Sequence, residues 1–262
     1  MAHLPIRREW PFLARGFEPV GVGQLIRWVR ASLPVACLLC EQRAPGTGLC
    51  VHCHGRVTSS MRNGTVARCP RCCLALSATA DCADCKERAP AFDRVLAGFD
   101  YAHPGDLLIQ ALKVQQRFTH AAALSSILAQ SVRLACDNVP GALPRPLLVV
   151  PVPSGEAALR HRGFNPAGEI ARGLAPYLRA PVRVDMVRRG GGAGQQKQRS
   201  RRERAQQAAT LYDCVRRCDG YHIALVDDVM TTGATLHNIA LALRRAGALS
   251  VIGLVAARTP LH

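Results

Sequence analysis

Residues 223–235 read IALVDDVMTTGAT, and this stretch decides the fold. Its first four residues, Ile223–Val226, form an apolar run that is typical of a buried parallel strand. Asp227 and Asp228 follow where this strand is expected to end, and a loop of Thr and Gly then leads into a helix predicted over 236–246. A strand, a small-residue loop and a helix N-terminus in succession bind phosphate, because free backbone N–H groups and the positive end of the helix dipole point at the anion.

The loop and the acidic pair have different predicted roles. Gly233 allows the backbone to approach an anion closely, and the threonine hydroxyls add donors. Asp227 and Asp228 repel a phosphate, so we expect them to bind a neighbouring sugar diol, or a magnesium ion through water. The competing interpretation is an ordinary strand–turn–helix connection with a solvated acidic pair. The candidate phosphate-binding residues are Val229, Met230, Thr231, Thr232, Gly233, Ala234 and Thr235.

Composition narrows the class of protein without fixing it. A chain of 262 residues suits one large domain or two smaller ones, and 48% hydrophobic residues suffice for a globular core. The formal net charge of +16 fits a polyanionic ligand, such as a nucleotide or a nucleic acid. Most basic residues are arginine, which favours bidentate phosphate contacts, although a GC-rich genome produces the same bias. With no apolar run of about 18 residues and no signal peptide, we expect no membrane insertion and a cytoplasmic protein.

Eight of the twelve cysteines form four Cys-x-x-Cys knuckles. Each knuckle presents two thiolates to one metal ion, and two knuckles make a tetrahedral zinc site with four cysteine ligands. The equal gap inside each pair of knuckles suggests two successive zinc ribbons, while pairing of the first knuckle with the third stays open at this point. The knuckles are Cys37/Cys40, Cys50/Cys53, Cys69/Cys72 and Cys82/Cys85.

We interpret both cysteine sites as structural, with about two zinc ions per chain. Four thiolates close the coordination shell and leave no position for a catalytic water. A segment of about 50 residues with few large apolar side chains also needs a metal to fold. Iron–sulfur ligation and thiol redox chemistry are the alternatives. His52 and His54 flank Cys53, and we expect them to be exposed rather than ligands.

After about residue 91, apolar strands alternate with helical segments. This alternation predicts a parallel α/β sheet with ligands bound at the carboxyl ends of its strands. The predicted strands are 92–101, 147–150, 181–186, 223–226 and 251–256. The predicted helices are 24–33, 107–113, 121–136, 165–178, 199–209 and 236–246. The amphipathic helix at 24–33 is expected to dock on the zinc module or on a partner.

Two further segments carry residues suited to phosphate. Arg162 follows the strand that ends at Val150, within reach of a diphosphate, and Asn165 is predicted to cap the next helix with Pro166 at its first position. The basic segment, residues 188–204, carries a net charge of +6, from seven basic residues and one acidic residue. We expect this segment to close over an active site and exclude water. A solvated loop and a nucleic-acid contact are the alternatives.

The stretch 223–235 resembles the phosphoribosyl-pyrophosphate (PRPP) signature of type I phosphoribosyltransferases, which is an apolar strand, an acidic pair and then Thr-Thr-Gly-x-Thr. The order of motifs over about residues 35–258 is similar to that of the ComF family of competence-associated phosphoribosyltransferase-like proteins, also represented by GntX-type proteins. The motifs that carry this likeness are the knuckles at 37–85, Tyr101 and Lys113, Val150-Pro151-Val152-Pro153, Arg162-Gly163-Phe164-Asn165, Gln196 and Arg204, and 223–235.

The resemblance implies a type I phosphoribosyltransferase-like parallel sheet with helices on both faces, preceded by a small Cys-rich zinc-ribbon module. It implies an N-terminal extension over 1–34, a double zinc ribbon over 35–90 and a phosphoribosyltransferase-like domain over 91–262. Asp227 and Asp228 would be the catalytic residues that hold the ribose hydroxyls, and magnesium would bridge pyrophosphate and ribose. The pyrophosphate would be bound by Pro151, Val152, Arg162 and Arg204.

The implied function is transfer of a phosphoribosyl group with release of pyrophosphate, linked to DNA uptake in natural competence. The implied partners are PRPP, single-stranded DNA and a competence helicase. The alternative is a non-catalytic competence factor that binds nucleic acid or the helicase, with PRPP or a nucleotide as a regulatory ligand. Neither the residues nor the resemblance identifies the acceptor.

Overall fold

The computed structural model describes residues 34–46, 48–62, 66–76, 81–190 and 211–260. Its elements in chain order are β1 (Val35–Ala36), β2 (Arg43–Ala44), α1 (Val51–Arg62), α2 (Ala83–Glu87), β3 (Arg94–Asp100), α3 (Gly105–Lys113), α4 (Thr119–Asn138), β4 (Leu147–Pro151), α5 (Glu156–Arg162), α6 (Pro166–Leu178), β5 (Val187–Arg189), β6 (Tyr212–Cys214), β7 (His222–Met230), α7 (Ala234–Arg245) and β8 (Ser250–Arg258).

The centre of the described structure is a four-stranded sheet in the order β3-β8-β7-β4, and every neighbouring pair is parallel. Leu225 of β7 pairs with Gly253 of β8 on one side and with Val150 of β4 on the other. A single bridge from Val149 to Val182 extends the sheet beyond β4. Because parallel strands all end at the same edge, the segments that follow β4 and β7 meet there.

Helices cover both faces of this sheet, as the sequence predicts. On one face, α4 and α6 pack against alternate strand residues such as Val149, Ala224 and Leu254. On the other face, α7 packs against the intervening residues, such as Leu148 and Val255. Both faces of β7 are therefore buried, which explains why its sequence is continuously apolar rather than alternating.

The cysteine-rich segment packs against the same two cores. Cys37, Cys53 and Val57 join the core that contains α4 and α6. Cys69 and Cys72 join the core that contains α7. An α/β fold with an attached Cys-rich module is therefore confirmed, whereas the domain boundaries drawn from the sequence stay predictions.

Some elements differ from their predicted bounds. β7 continues to Met230, so Asp227 and Asp228 lie within the strand rather than after it. The strand predicted over 181–186 reduces to one paired residue, Val182, because the chain turns before it forms β5, which pairs antiparallel with β6. α1, α2 and α5 are additional helices, and their sequences contain few apolar residues.

The other predicted strands and helices are confirmed wherever the structure describes them. The helix predicted over 107–113, for example, spans Gly105–Lys113. The helices predicted over 24–33 and 199–209 lie outside the described residues, as do Gln196 and Arg204. Within the part of the chain that the structure describes, no helix is both long and apolar enough to span a membrane.

Candidate anion-binding site and cysteine clusters

The connection between β7 and α7 forms the candidate anion-binding loop, residues Thr231–Gly233. Gly233 has a φ of +78°, and a Cβ at this position would lie 2.5 Å from Met230 Cε. Thr232 Oγ1 accepts the Ala234 N–H at 3.3 Å, while the next N–H groups of the first helical turn have no acceptor within the helix. The loop therefore offers backbone donors and threonine hydroxyls to an anion at the N-terminus of α7.

The acidic pair meets a lysine from a distant helix. Lys113 Nζ, at the last position of α3, lies 2.9 Å from Asp228 Oδ2. Asp227 Oδ1 accepts the Asp228 N–H at 2.9 Å, and Asp228 Oδ1 accepts the Val229 N–H at 2.7 Å. Burial and the charge of Asp228 raise the pKa of Asp227 well above its ordinary value, although Lys113 opposes this shift. The sheet edge thus holds two crowded carboxylates beside one ammonium group.

Asn165 caps α6, as the sequence predicts. Its Oδ1 accepts the Ala167 N–H at 3.2 Å, and Pro166 occupies the first helical turn. Such a cap satisfies one of the backbone donors that a helix N-terminus leaves without a partner.

The same side chain also fixes the loop that follows β4. Asn165 Nδ2 donates to Val152 O at 2.9 Å, and Ser154 Oγ donates to Asn165 Oδ1 at 3.0 Å. The Val152 N–H in turn donates to Val226 O of β7 at 2.8 Å. The predicted pyrophosphate residues Pro151 and Val152 are therefore tied to the strand that carries the acidic pair.

Arginines lie close to this loop. Arg162 ends α5, and its Nε atom is buried without a hydrogen-bond partner among the described residues. An unsatisfied buried donor costs free energy, which marks Arg162 as a residue whose Nε lacks compensation in the described structure. Arg189 Nη1 lies 2.8 Å from the position that a Cβ at Gly155 would take, which places the end of β5 against the loop after β4. The basic segment therefore starts beside that loop, while Arg204 lies outside the described residues.

The knuckle cysteines form two clusters. Within each cluster, all four Sγ atoms lie within 4.8 Å of one another. The first cluster is Cys37, Cys40, Cys50 and Cys53, and the second cluster is Cys69, Cys72, Cys82 and Cys85. The first knuckle therefore pairs with the second and the third with the fourth. The sequence had also left open a pairing of the first knuckle with the third. Neither His52 nor His54 belongs to these groups.

The cysteine clusters have the geometry of a tetrahedral metal site. The Cys40–Cys50 Sγ–Sγ distance is 3.7 Å in the first cluster. In the second cluster, Cys72 and Cys82 are separated by 3.4 Å and Cys69 and Cys85 by 3.8 Å. Zinc–sulfur bonds of about 2.3 Å in a tetrahedron require Sγ–Sγ separations of about 3.8 Å. The donor set and the spacing of both clusters therefore fit zinc.

The thiols of the clusters differ in acidity. Burial opposes the ionisation of Cys37, yet backbone N–H groups from Cys50, Leu39 and Cys40 lower its pKa to about 6. Burial raises the pKa of Cys72 to about 11. Because the thiolate is the metal-binding form, a cation in each cluster favours the ionised state that crowding otherwise opposes.

Two residues contact the acidic pair or the start of the candidate anion-binding loop, although the sequence analysis gave them no role in that site. In the sequence, Lys113 is a lone lysine at the end of an amphipathic helix and belongs to the motif order that resembles the ComF family. Arg258 closes an apolar strand and is only 2% exposed, and its Nη1 donates to Met230 O at 3.2 Å. For Arg258, the signal in the sequence was its position as an arginine at the end of a buried strand.

The fold and the sites define the class: an α/β protein whose parallel sheet carries a candidate anion-binding site at its carboxyl edge, joined to two four-cysteine clusters. DNA utilization protein YhgH of Salmonella typhi is 31% identical over 223 residues, which cover 84% of this chain and 95% of that protein. The chain belongs to the ComF family.

Other relatives support this assignment. The protein of the same name from Escherichia coli strain K12 is 32% identical over 223 residues, with the same shares of each chain. Competence protein F of Haemophilus influenzae is 29% identical over 212 residues, which cover 76% of this chain and 91% of that protein. A scan of the chain against models of known protein families finds no match.

Proposed function

We propose that this protein binds PRPP at the carboxyl edge of the sheet and transfers the phosphoribosyl group to an acceptor, with release of pyrophosphate, as part of DNA utilization or uptake. The observation that carries the proposal is the β7–α7 connection, where an acidic pair, a glycine in the left-handed region and a helix N-terminus follow one another. The names of the relatives support the link to DNA and competence.

Each part of the site has a role in this reaction. The N–H groups and hydroxyls of residues 231–235 hold the 5′-phosphate. Asp227 and Asp228 accept hydrogen bonds from the ribose hydroxyls, and Lys113 neutralises part of their charge, so that a polyanionic substrate is less repelled. Val152 and Arg162 are assigned to the pyrophosphate in this proposal.

The chemistry is a substitution at the anomeric carbon of ribose. The bond between this carbon and the pyrophosphate oxygen breaks, a bond to the acceptor forms, and positive charge develops on the sugar ring in between. Positioning and charge stabilisation carry such a reaction, and we assign the stabilisation of that charge to the carboxylates of Asp227 and Asp228. Magnesium enters with PRPP as part of the substrate complex, and the carboxylate oxygens form a donor set that suits it.

The experiment that tests this proposal is calorimetric titration of PRPP with magnesium into the purified protein. The double variant Asp227→Asn/Asp228→Asn removes the acidic pair, and Asp137→Asn, at an exposed position in α4, is the matched control. We expect PRPP binding in the wild type and the control and its loss in the double variant. Equal affinity in all three proteins would place PRPP elsewhere, and no binding in the wild type would reject the proposal.

Turnover is tested separately from binding. Wild-type protein incubated with PRPP, magnesium and a panel of purine, pyrimidine and amine acceptors should release pyrophosphate only with the correct acceptor. The double variant at Asp227 and Asp228 should release none. Binding of PRPP without release by any acceptor would favour the second candidate function.

The second candidate is a non-catalytic competence factor that binds single-stranded DNA or a helicase, with PRPP or a nucleotide as a regulatory ligand. The net charge of +16 and the +6 charge of the basic segment favour it. Replacement of Arg199, Arg201 and Arg202 by Ala should weaken the binding of single-stranded DNA and reduce its logarithmic salt slope by about 2, since each phosphate contact on a single strand contributes about 0.7.

A matched control for that experiment removes the same charge from a different surface. Replacement of Arg133, Arg172 and Arg183 by Ala affects three exposed arginines outside the basic segment. An equal loss of salt dependence in both triple variants would show that net charge, rather than the basic segment, drives DNA binding.

We also propose that both cysteine clusters hold zinc in a structural role. Four sulfur ligands at the observed separations fit a closed tetrahedral shell. Both clusters also contribute buried residues to the cores that cover the sheet. Zinc in these positions would fix the Cys-rich module against the domain that carries the anion-binding loop.

A further inference from the structure

Arg258 is one of the most deeply buried residues of the described structure, with an exposed fraction of 2%. A guanidinium in such a position loses its hydration and must be compensated by hydrogen bonds. Its nearest carboxylate is Asp84 Oδ2, 3.9 Å from Nη2, which is too far for a hydrogen bond. The compensation therefore comes from backbone carbonyl groups.

The carbonyl groups around Arg258 belong to two distant parts of the chain and to its neighbour in sequence, Thr259, whose O accepts from Nη1 at 2.8 Å. Its Nε donates to Cys72 O at 3.1 Å, and Cys72 is a member of the second cluster. Its Nη1 donates to Met230 O at 3.2 Å and also to Thr231 O. One rigid fork thus joins a knuckle of the second cluster to the end of β7 and the start of the anion-binding loop.

A second arginine provides a natural comparison. Arg68 Nη1 donates to Cys73 O at 3.2 Å and to Asp100 Oδ1 at 2.9 Å, so it ties the same knuckle to the end of β3. Within the described part of the chain, Arg68 makes no hydrogen bond to the candidate anion-binding loop. The two arginines hold adjacent carbonyl groups, but only Arg258 reaches residues that open the loop.

The second cluster and the loop also share a cavity of about 320 Å³. Cys72 and Cys85 line it on the side of the cluster, and Thr232 and Gly233 line it on the side of the loop. The two parts therefore face each other across this cavity, and Arg258 makes direct hydrogen bonds to both of them.

We propose that Arg258 is a positioning residue through which the second cluster, when it holds its metal, sets the backbone of the anion-binding loop and thereby its affinity for the anion. The proposal rests on the proposed function for the identity of the ligand, but not for the link between cluster and loop. A metal in the second cluster fixes Cys72, Cys72 O fixes the guanidinium, and the guanidinium fixes Met230 O and Thr231 O.

The first test measures the loop directly, without any ligand. Hydrogen exchange of the backbone amides at 231–235 is followed in the full-length zinc-loaded protein, in Arg258→Lys and in Arg68→Lys. Lysine keeps the charge but cannot fork between the two parts of the chain. We expect faster exchange of these amides in Arg258→Lys and unchanged exchange in Arg68→Lys. Equal exchange in the two variants would overturn the proposal.

The second test approaches the link from the metal side. Cys85→Ser removes a ligand of the second cluster and leaves the first cluster complete. It should accelerate the exchange of the amides at 231–235 as Arg258→Lys does. The double variant Cys85→Ser/Arg258→Lys should exchange little faster than either single variant, because both changes break the same link. If Cys85→Ser loses one metal ion and its amides at 231–235 still exchange at the wild-type rate, the proposal is wrong. This test does not depend on whether Arg258→Lys folds.

The third test uses PRPP as the probe. Arg258→Lys should keep both metals and bind PRPP about tenfold more weakly, a coupling of typical size, while Arg68→Lys keeps wild-type affinity within about twofold. Failure of the wild type to bind PRPP would reject the proposed function alone, because the exchange measurements do not depend on it. Wild-type affinity in a metal-loaded Arg258→Lys protein would reject the role of Arg258.

Discussion

Lys113 Nζ lies 2.9 Å from Asp228 Oδ2 and joins the C-terminal end of α3 to the carboxyl end of β7. The contact places one ammonium group beside two adjacent carboxylates at the sheet edge where the candidate anion-binding loop begins. A ligand that contacted Asp228 Oδ2 would share this oxygen with Lys113 or displace the lysine, so Lys113 sets the charge around the acidic pair. Four predictions follow from this arrangement and from its surroundings.

Asp227→Asn is expected to stabilise the protein at neutral pH. An unfolded aspartate loses its proton near its ordinary pKa of 3.8, whereas burial and Asp228 raise the pKa of Asp227 in the folded state. Between these two values the folded state binds more protons than the unfolded state, so the free energy of unfolding falls as pH rises. Melting temperatures of the wild type and the variant at pH 4 to 9 measure this effect.

In that series, the advantage of Asp227→Asn should grow as pH rises from about 4 to the raised pKa and stay constant above it. Asp137→Asn, at an exposed position, should show no such pH-dependent gain. Parallel profiles for the wild type and Asp227→Asn would mean that Asp227 carries no electrostatic strain.

Gly233→Ala is expected to reduce PRPP affinity by about tenfold or more. An alanine at φ +78° is strained, and its Cβ would meet Met230 Cε and displace the loop. Gly141→Ala is the matched control, because Gly141 has a φ of +75° and open space where the Cβ would be. Both variants should lose about 1–2 kcal/mol of stability, but only Gly233→Ala should lose affinity in a calorimetric titration. Equal affinity losses would point to a global effect.

Metal analysis of cysteine variants tests the pairing of the knuckles. Wild-type protein should contain about two zinc ions per chain. Cys40→Ser/Cys50→Ser affects the first cluster alone and should keep one zinc, whereas Cys40→Ser/Cys69→Ser affects both clusters and should keep none. Cys136→Ser, outside the clusters, should keep two.

The opposite pattern in the two double variants would show that knuckles pair in an interleaved way in solution. A coloured protein that contains iron, or a colourless protein without metal, would reject zinc as the resident ion. Elemental analysis by mass spectrometry distinguishes these results.

Asn165→Ala is expected to destabilise the protein by about 2 kcal/mol, because it removes a helix cap and the bond to Val152 O at the same time. Ser154→Ala removes only one hydrogen bond to Asn165 and should cost about 1 kcal/mol or less. Urea denaturation of both variants measures the difference. A loss in Asn165→Ala no larger than that in Ser154→Ala would mean that the loop after β4 is held by other contacts.

Local patterns in the sequence predict much of the fold and the candidate site. The apolar run before Asp227 predicts a strand because buried parallel strands need apolar residues on both faces. Gly233 and the threonines beside it predict a tight loop, and Asn165 with Pro166 predicts a helix start, since each signal acts within a few residues. The same reasoning overestimated the strand at 181–186, where apolar residues alternate at Val182, Val184 and Met186 but the chain turns after Val182. It missed α1 because that segment contains few apolar residues.

The sequence by itself determined the four cysteine knuckles, the β7–loop–α7 unit and the alternation of strands and helices. The tertiary structure decided which knuckles share a cluster, that Lys113 meets Asp228, and that Arg258 meets Cys72, 186 residues away in the chain. The physical reason is that propensity, capping and periodicity depend on neighbours within one or two turns. A contact between distant residues depends instead on how helices pack on the sheet, and only the folded chain fixes that packing.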